Sequence, residues 1–164
     1  AVEIEGATVG GRELRAEPGA SPWSVDGDRY RNPGLGLSLA LPAGWRVERA
    51  DALWPESLVV ALAGPGGARA ELREEETGGV ADSWRHARER LTAAGAAPSS
   101  ADVGPPRSLG GRPGLLGRGR RAAGAAWADR TALQLLVVTG PNPHADLAAL
   151  LAGLAWEPRP AAPR

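Results

Sequence analysis

Several stretches of this 164-residue chain carry residue types that can do chemistry. Gly36-Leu37-Ser38-Leu39-Ala40 comes close to Gly-x-Ser-x-Gly, in which a sharp strand-to-helix turn exposes a serine nucleophile. Gly117-Arg118-Gly119-Arg120-Arg121-Ala122 fits Gly-x-Gly-x-x-Gly/Ala, whose glycines let a backbone approach a pyrophosphate. With Arg112, the same stretch supplies four arginines suited to an anion or an acidic partner. Glu71, Glu74, Glu75 and Glu76 offer carboxylates for glycoside or metal chemistry. His86 and His144 are the only imidazoles, and together with Asp82 or Asp146 they would make a minimal zinc set.

Spacing weighs against most of these. Ser38 sits among Leu35, Leu37, Leu39 and Leu41, an alternation that puts it in mid-strand. A dinucleotide loop needs a helix next and an acid about 20 residues later. Only a short Ala/Gly segment follows Gly119, and no acid lies at that spacing. His86-Ala87-Arg88-Glu89-Arg90 is not His-Glu-x-x-His, and His144 beside a helix start is expected to dress the first turn. The glutamates read as a solvated strand end. The arginines read as a solvated strand face or, functionally, as a small anion- or partner-binding patch. Trp54, before Pro55 in a turn, is expected to be exposed and interactive. The expected partner contacts are therefore Trp54, Arg118 and Arg120, with no catalytic, cofactor or metal residue assigned.

Composition narrows the field further. Basic and acidic residues number 19 each, so no net field recruits nucleic acid or an anionic membrane. Every basic residue is Arg, a bias that with abundant Ala, Gly and Pro reads as genomic composition. With no Cys there is no thiol nucleophile, disulfide, iron–sulfur cluster or thiolate zinc site. With no Lys there is no Schiff base or P-loop lysine. No apolar run approaches the ~20 residues of a membrane-spanning helix. The opening at Ala1 suggests a processed form or an excised domain.

These residues need elements to hold them. Val2–Glu5 and Arg12–Arg15 read as a hairpin about Gly10-Gly11, with a connection from Glu17 to Gly27 that pins Trp23 to the body. Leu35–Leu41, a corner at Pro42 and Gly44, and Trp45–Arg49 read as a hairpin-like pair at the heart of an antiparallel sheet. Ser57–Ala63 is a buried strand, and Ala68–Arg73 an edge-facing strand with one wet side. Val80–Ala94 predicts a helix with Val80, Trp84, Ala87, Leu91 and Ala94 on one stripe and Gly95 ending it. Ala96–Pro106 reads as a mobile loop and Leu109–Arg121 as a Gly-interrupted strand region. A longer strand develops from Trp127, with Leu133–Val138 central because both its faces are apolar. Asn142 and Pro143 open a last helix with Leu147, Leu150, Leu151 and Leu154 buried. Glu157–Arg164 reads as a Pro-rich disordered tail.

The aromatic-x-Asn-Pro of Tyr30, Asn32 and Pro33, the strand Gly36–Leu41, and Pro42, Gly44 and Trp45 resemble the opening of PsbP-like domains. A similar segment follows the catalytic domain of some bacterial zinc metalloproteases. The resemblance spans about residues 28–156. It implies an α/β/α sandwich around an antiparallel sheet, found in bacterial lipoproteins and photosystem accessory subunits, that scaffolds or binds rather than catalyses. The compartment stays open, with the cell envelope favoured by the resemblance alone. We therefore expect an α+β domain over 26–156, an antiparallel sheet flanked by helices, with an N-terminal β-hairpin and connection (1–25) and a tail (157–164). Its expected role is that of a non-enzymatic accessory or protein-interaction domain of a bacterial protein, without cofactor, nucleic acid or membrane insertion. The alternatives are a small-ligand domain with a Trp- and Arg-lined cleft between sheet and helix, and, last, a hydrolase using Ser38 or the glutamates.

Overall fold

The computed structural model describes residues 23–50, 58–77, 82–98, 106–128 and 131–157. Its centre is β10 (Ala132–Thr139), where Leu133 and Leu135 point to one face and Leu136 and Val138 to the other, all buried. A strand apolar on both sides is stable only where both are covered. β10 accordingly pairs along its whole length with β6 (Arg69–Glu76) and along most of it with β9 (Ala122–Ala128). A seven-stranded antiparallel sheet results, in the order β4 (Arg46–Ala50), β5 (Leu58–Ala63), β6, β10, β9, β8 (Arg112–Arg118), β7 (Arg107–Leu109). β6 has the expected wet side, with Arg69 and Glu71 exposed and Ala68, Ala70 and Leu72 buried around it. It is not an edge strand, however. Alternation reports one solvated face, and says nothing of whether the backbone is paired.

One face of the sheet carries α1 (Ser83–Ala93), whose Ala87 and Leu91 pack against Leu115, Ala126 and Leu133. The Asp82 carboxylate accepts from the Arg85 N–H at 2.9 Å and caps the start. At the far end Gly95 has φ +83°, donates to the Thr92 carbonyl at 3.0 Å, and lets Ala96 reach the Leu91 carbonyl at 2.9 Å, a Schellman closure. The stripe through Trp84, Ala87 and Leu91 and the stop at Gly95 are as expected; Val80 lies outside the described residues.

The other face carries α2 (Pro143–Ala152) and, against the expectation of one sheet, a second, four-stranded antiparallel sheet. Its order is β1 (Ser24–Asp26), β2 (Arg29–Asn32), β3 (Leu37–Ala40), β11 (Leu154–Trp156). Pro143 opens α2 as expected, but Leu154 leaves the helix and starts β11. Gly153 explains the exit. A Cβ there would stand 2.1 Å from the Ala40 carbonyl oxygen, and Ala40 N–H donates to the Gly153 carbonyl at 2.8 Å. The chain is drawn onto the edge of β3.

The leucine strand is also placed differently. Leu35, Leu37, Leu39 and Leu41 are buried together as their spacing predicts, but β3 does not pair with β4. Trp45 N–H donates back to the Pro42 carbonyl at 3.1 Å, and Gly44 takes φ +85°. The Trp45 indole lies so close over Gly64 that a Cβ there would meet it at 2.5 Å. The corner thus carries the chain from one sheet to the other, with the indole buried between the layers. The result is α+β: antiparallel sheets flanked by helices, in three layers. The expected hairpin at 2–15 and the tail 157–164 lie outside the described residues apart from Glu157, whose N–H donates to the Gly36 carbonyl.

Tyr30 shows what the second sheet contributes. Its ring is fully buried, 6.4 Å from the Trp23 ring, and Asn32 Nδ2 donates to its hydroxyl at 3.0 Å. Asn32 Oδ1 also accepts from Leu35 N–H at 3.3 Å and so holds the turn into β3. Burial pushes the Tyr30 hydroxyl up to about 12, the Asn32 bond opposing it. The folded state therefore keeps a proton that the unfolded chain releases near 10, so stability is full below pH 10 and falls towards pH 12. The chain has one Tyr, no Lys and no Cys, so little else titrates in that window. Urea titrations should show a loss of about 2–3 kcal/mol between those limits. Tyr30→Phe should flatten the slope; an unchanged slope would contradict the burial.

Candidate functional site

Arg118 pairs opposite Ala123, and the turn 119–121 joins β8 to β9, with Gly119 N–H donating to the Ala122 carbonyl at 2.7 Å. Arg118, Arg120 and Arg121 are exposed there, and among the described residues none has a carboxylate in ion-pair range. The expected four-arginine patch does not form. Arg112 begins β8, about 20 Å from Arg118 along an extended strand. Its guanidinium lies 4.5 Å from the Trp156 ring centre and donates to Gln134 Oε1 at 3.4 Å. Gln134, fully buried, passes that polarity on to Glu74 Oε2 at 2.8 Å. Arg112 is a structural residue.

The glycine spacing at 117 and 119 has a packing reason. Both residues face the closing turn of α1, where a Cβ on Gly117 would meet the Ala96 carbonyl oxygen at 1.7 Å and one on Gly119 the Gly95 oxygen at 1.9 Å. Arg118 N–H donates to the Ala97 carbonyl at 3.0 Å. The Gly-x-Gly sequence thus admits a helix end rather than a pyrophosphate.

Beside the turn an open cleft of about 800 Å³ is bordered by Arg120, Arg121, Thr139, Pro141 and the α1 end at Ala94 and Gly95. His144, in the first turn of α2, sits nearby with Nε2 3.1 Å from the Gly119 carbonyl oxygen. A second cavity of about 210 Å³ lies between α1 and the sheet, lined by Glu71, Arg73, Arg90, Ala94, Leu135 and Val137. This is the expected sheet–helix cleft with arginines but without Trp. Arg73 donates to Glu71 at 2.8 Å. Arg90 donates through Nη2 to Glu75, while its Nε is buried without a partner. Arg73 and Arg90 went unmarked in the sequence because only the docking of α1 brings them to one place.

The remaining candidates disperse. Ser38 is buried in mid-strand between Arg31 and Ala155, and its Oγ accepts from Arg29 at 3.4 Å. The glutamates do not form a simple solvated strand end. Glu74 binds Gln134 on one face of β6, and Glu75 on the other meets Arg90 and lies 3.6 Å from His86 Nε2. Successive positions on a strand cannot converge. Among the described residues no group of three or more His, Asp or Glu is placed to hold a metal ion. Trp54 lies outside the described residues.

No family model matches the chain, and no curated protein does. Among solved structures it is similar to the solution structure of cyanobacterial PsbP (CyanoP) from Synechocystis sp. PCC 6803. The match has 12% identity and a TM-score of 0.45, and covers 78% of this chain and 91% of that one. It names the family that the Tyr30–Trp45 stretch resembles; the fold class stated above rests on strand order and layers.

The close approach at Gly117 sets a test. Gly117→Ala should cost about 2–3 kcal/mol by overpacking and shift the α1 cap, read as a lowered urea midpoint. A neutral substitution would contradict the docking of α1 on β8.

Proposed function

We propose that the chain is a non-enzymatic accessory domain that works by protein contact, with Arg118 and Arg120 of the β8–β9 turn at the contact. One observation carries this reading: Arg118, Arg120 and Arg121 stand exposed at a turn beside an open cleft, and among the described residues no carboxylate lies against them. Arginine suits that role, since its rigid fork of donors binds carboxylates in pairs and sheds water more readily than an ammonium. Unpaired surface charge also speeds encounter with an oppositely charged partner. Trp54 belongs to the same proposal as a second contact. Among the described residues no helix is long and apolar enough to cross a membrane.

A small-ligand role is the second reading, favoured by the 210 Å³ cavity beside Arg73 and Arg90. The two readings separate in the laboratory. Capture from native extract by the wild-type domain, compared with Arg118→Glu/Arg120→Glu, should lose a defined partner by about tenfold or more, with unchanged thermal unfolding. Retention of the same partner by the reversed variant would overturn the assignment. A metabolite that stabilises the domain in a thermal-shift screen, acting by mass action, would favour the ligand reading instead.

A further inference from the structure

The two cavities are parts of one feature. Ala94 borders both, and the β10 residues that floor them, Leu135, Val137 and Thr139, follow one another on a single face of the strand. Their partners across the ladder are Arg73, Glu71 and Arg69. α1 packs on β8, β9 and β10 and meets β6 at Glu75 through Arg90 and His86, and among the described residues no element covers that face of β6 from Arg69 to Arg73. A trough therefore runs beside α1, walled by the helix on one side and by the charged row of β6 on the other. Arg73 and Arg90 stand at one end, and Arg120 and Arg121 at the other. Between these ends Val137 and Ala93 supply an apolar middle. From Leu135 to Thr139 the floor spans about 14 Å, the reach of four or five extended residues.

We infer that this trough binds an extended acidic peptide segment of a partner protein, its carboxylates at the two arginine ends and small apolar side chains over Val137. The inference rests on the protein-contact reading above and specifies its ligand. Charge complementarity selects the occupant. Among the described residues four arginines line the trough against two glutamates, Glu71 on Arg73 and Glu75 on Arg90, which leaves a positive excess concentrated at Arg120 and Arg121, and the Nε of Arg90 is a buried donor without an acceptor. A compact anion would occupy one end and leave the apolar middle bare, whereas an extended chain spans both ends. At the wider end Gly67, Gly95 and Gly140 carry no side chain, so main chain can approach main chain beside Arg120 and Arg121.

The test is fluorescence anisotropy with a labelled peptide of about nine residues alternating Glu and Ala, long enough to overhang both ends. Its Gln-for-Glu counterpart, a labelled oligothymidylate and unlabelled inorganic phosphate serve as controls. At low salt the acidic peptide should bind about tenfold more tightly than the Gln peptide, and about 0.5 M salt should abolish the difference. Arg73→Glu and Arg121→Glu, at opposite ends, should each weaken it by about fivefold or more. Ala93→Trp, which fills the middle without changing charge, should do the same. Backbone amide shifts of wild-type protein titrated with the peptide should move at Ala93, Val137 and Thr139 together, which needs no variant to fold. Equal binding of the Gln peptide, preference for the oligothymidylate, or displacement by millimolar phosphate would overturn the inference. So would loss with Arg121→Glu but none with Arg73→Glu or Ala93→Trp. In that last case the turn arginines would still serve the protein-contact role, so failure of the trough is distinguishable from failure of the broader reading.

Discussion

The pairing of β10 with β6 and β9 is the constraint from which the rest of the architecture descends. A strand whose successive side chains are Leu133, Gln134, Leu135, Leu136, Val137 and Val138 cannot present either face to water without large cost. Two separate layers must therefore cover it. One is α1, a short helix that sets Trp84, Ala87 and Leu91 on Ala122 and Ala126 of β9 and Leu133 of β10. The other is α2 with the four-stranded sheet, packed on Leu136 and Val138 of β10 and on Ala125 and Trp127 of β9. Gln134 is the exception in this row. A fully buried amide would be costly unpaired, and Arg112 and Glu74 meet it on either side.

The unequal size of the covering layers is what gives the molecule a site. α1 packs on the β8–β10 half of its face and touches β6 at Glu75. The β6 half keeps Arg69, Glu71 and Arg73 in water, where ion pairs such as Arg69–Glu48 at 3.3 Å offset little energy but hold side chains in a row. The step between covered and uncovered halves is the trough beside the helix. The close approach of Gly117 and Gly119 to the end of α1 fixes where that helix stops, and so where the wider cleft opens next to Arg120 and Arg121. Packing and surface charge thus meet at one turn, where the same Gly-Arg-Gly-Arg-Arg sequence both admits the helix end and displays the guanidinium groups.

Much of this is legible in the sequence, and the limits have physical causes. Periodicity identifies α1 from Trp84, Ala87 and Leu91, with its stop at Gly95, because capping chemistry is local. Two apolar faces mark β10 as central. The Leu35–Leu41 alternation correctly gives one buried face, but not which strand lies alongside. Pairing is decided by Gly153 against Ala40 and by Trp45 over Gly64, contacts between residues far apart in the chain. β11 is missed for the same reason: Leu154 continues the helical spacing until a distant carbonyl redirects it. At the site, Arg118 and Arg120 stand out as a cluster along the chain, whereas Arg73 and Arg90 become neighbours only once the helix docks on the sheet. The split of Arg112 from the patch follows from strand geometry, since six residues of β-strand carry it to the opposite end of the sheet.

With its full length paired to β6 and most of it to β9, β10 is the last element to open, while α1 is a lighter layer resting on it. Native-state amide hydrogen exchange resolves the two directly. The amides of Leu135, Leu136 and Val137 should exchange only through global unfolding, with those of Leu91 and Thr92 opening at lower free energy. Amides of β10 that exchange as readily as those of α1 would contradict this order.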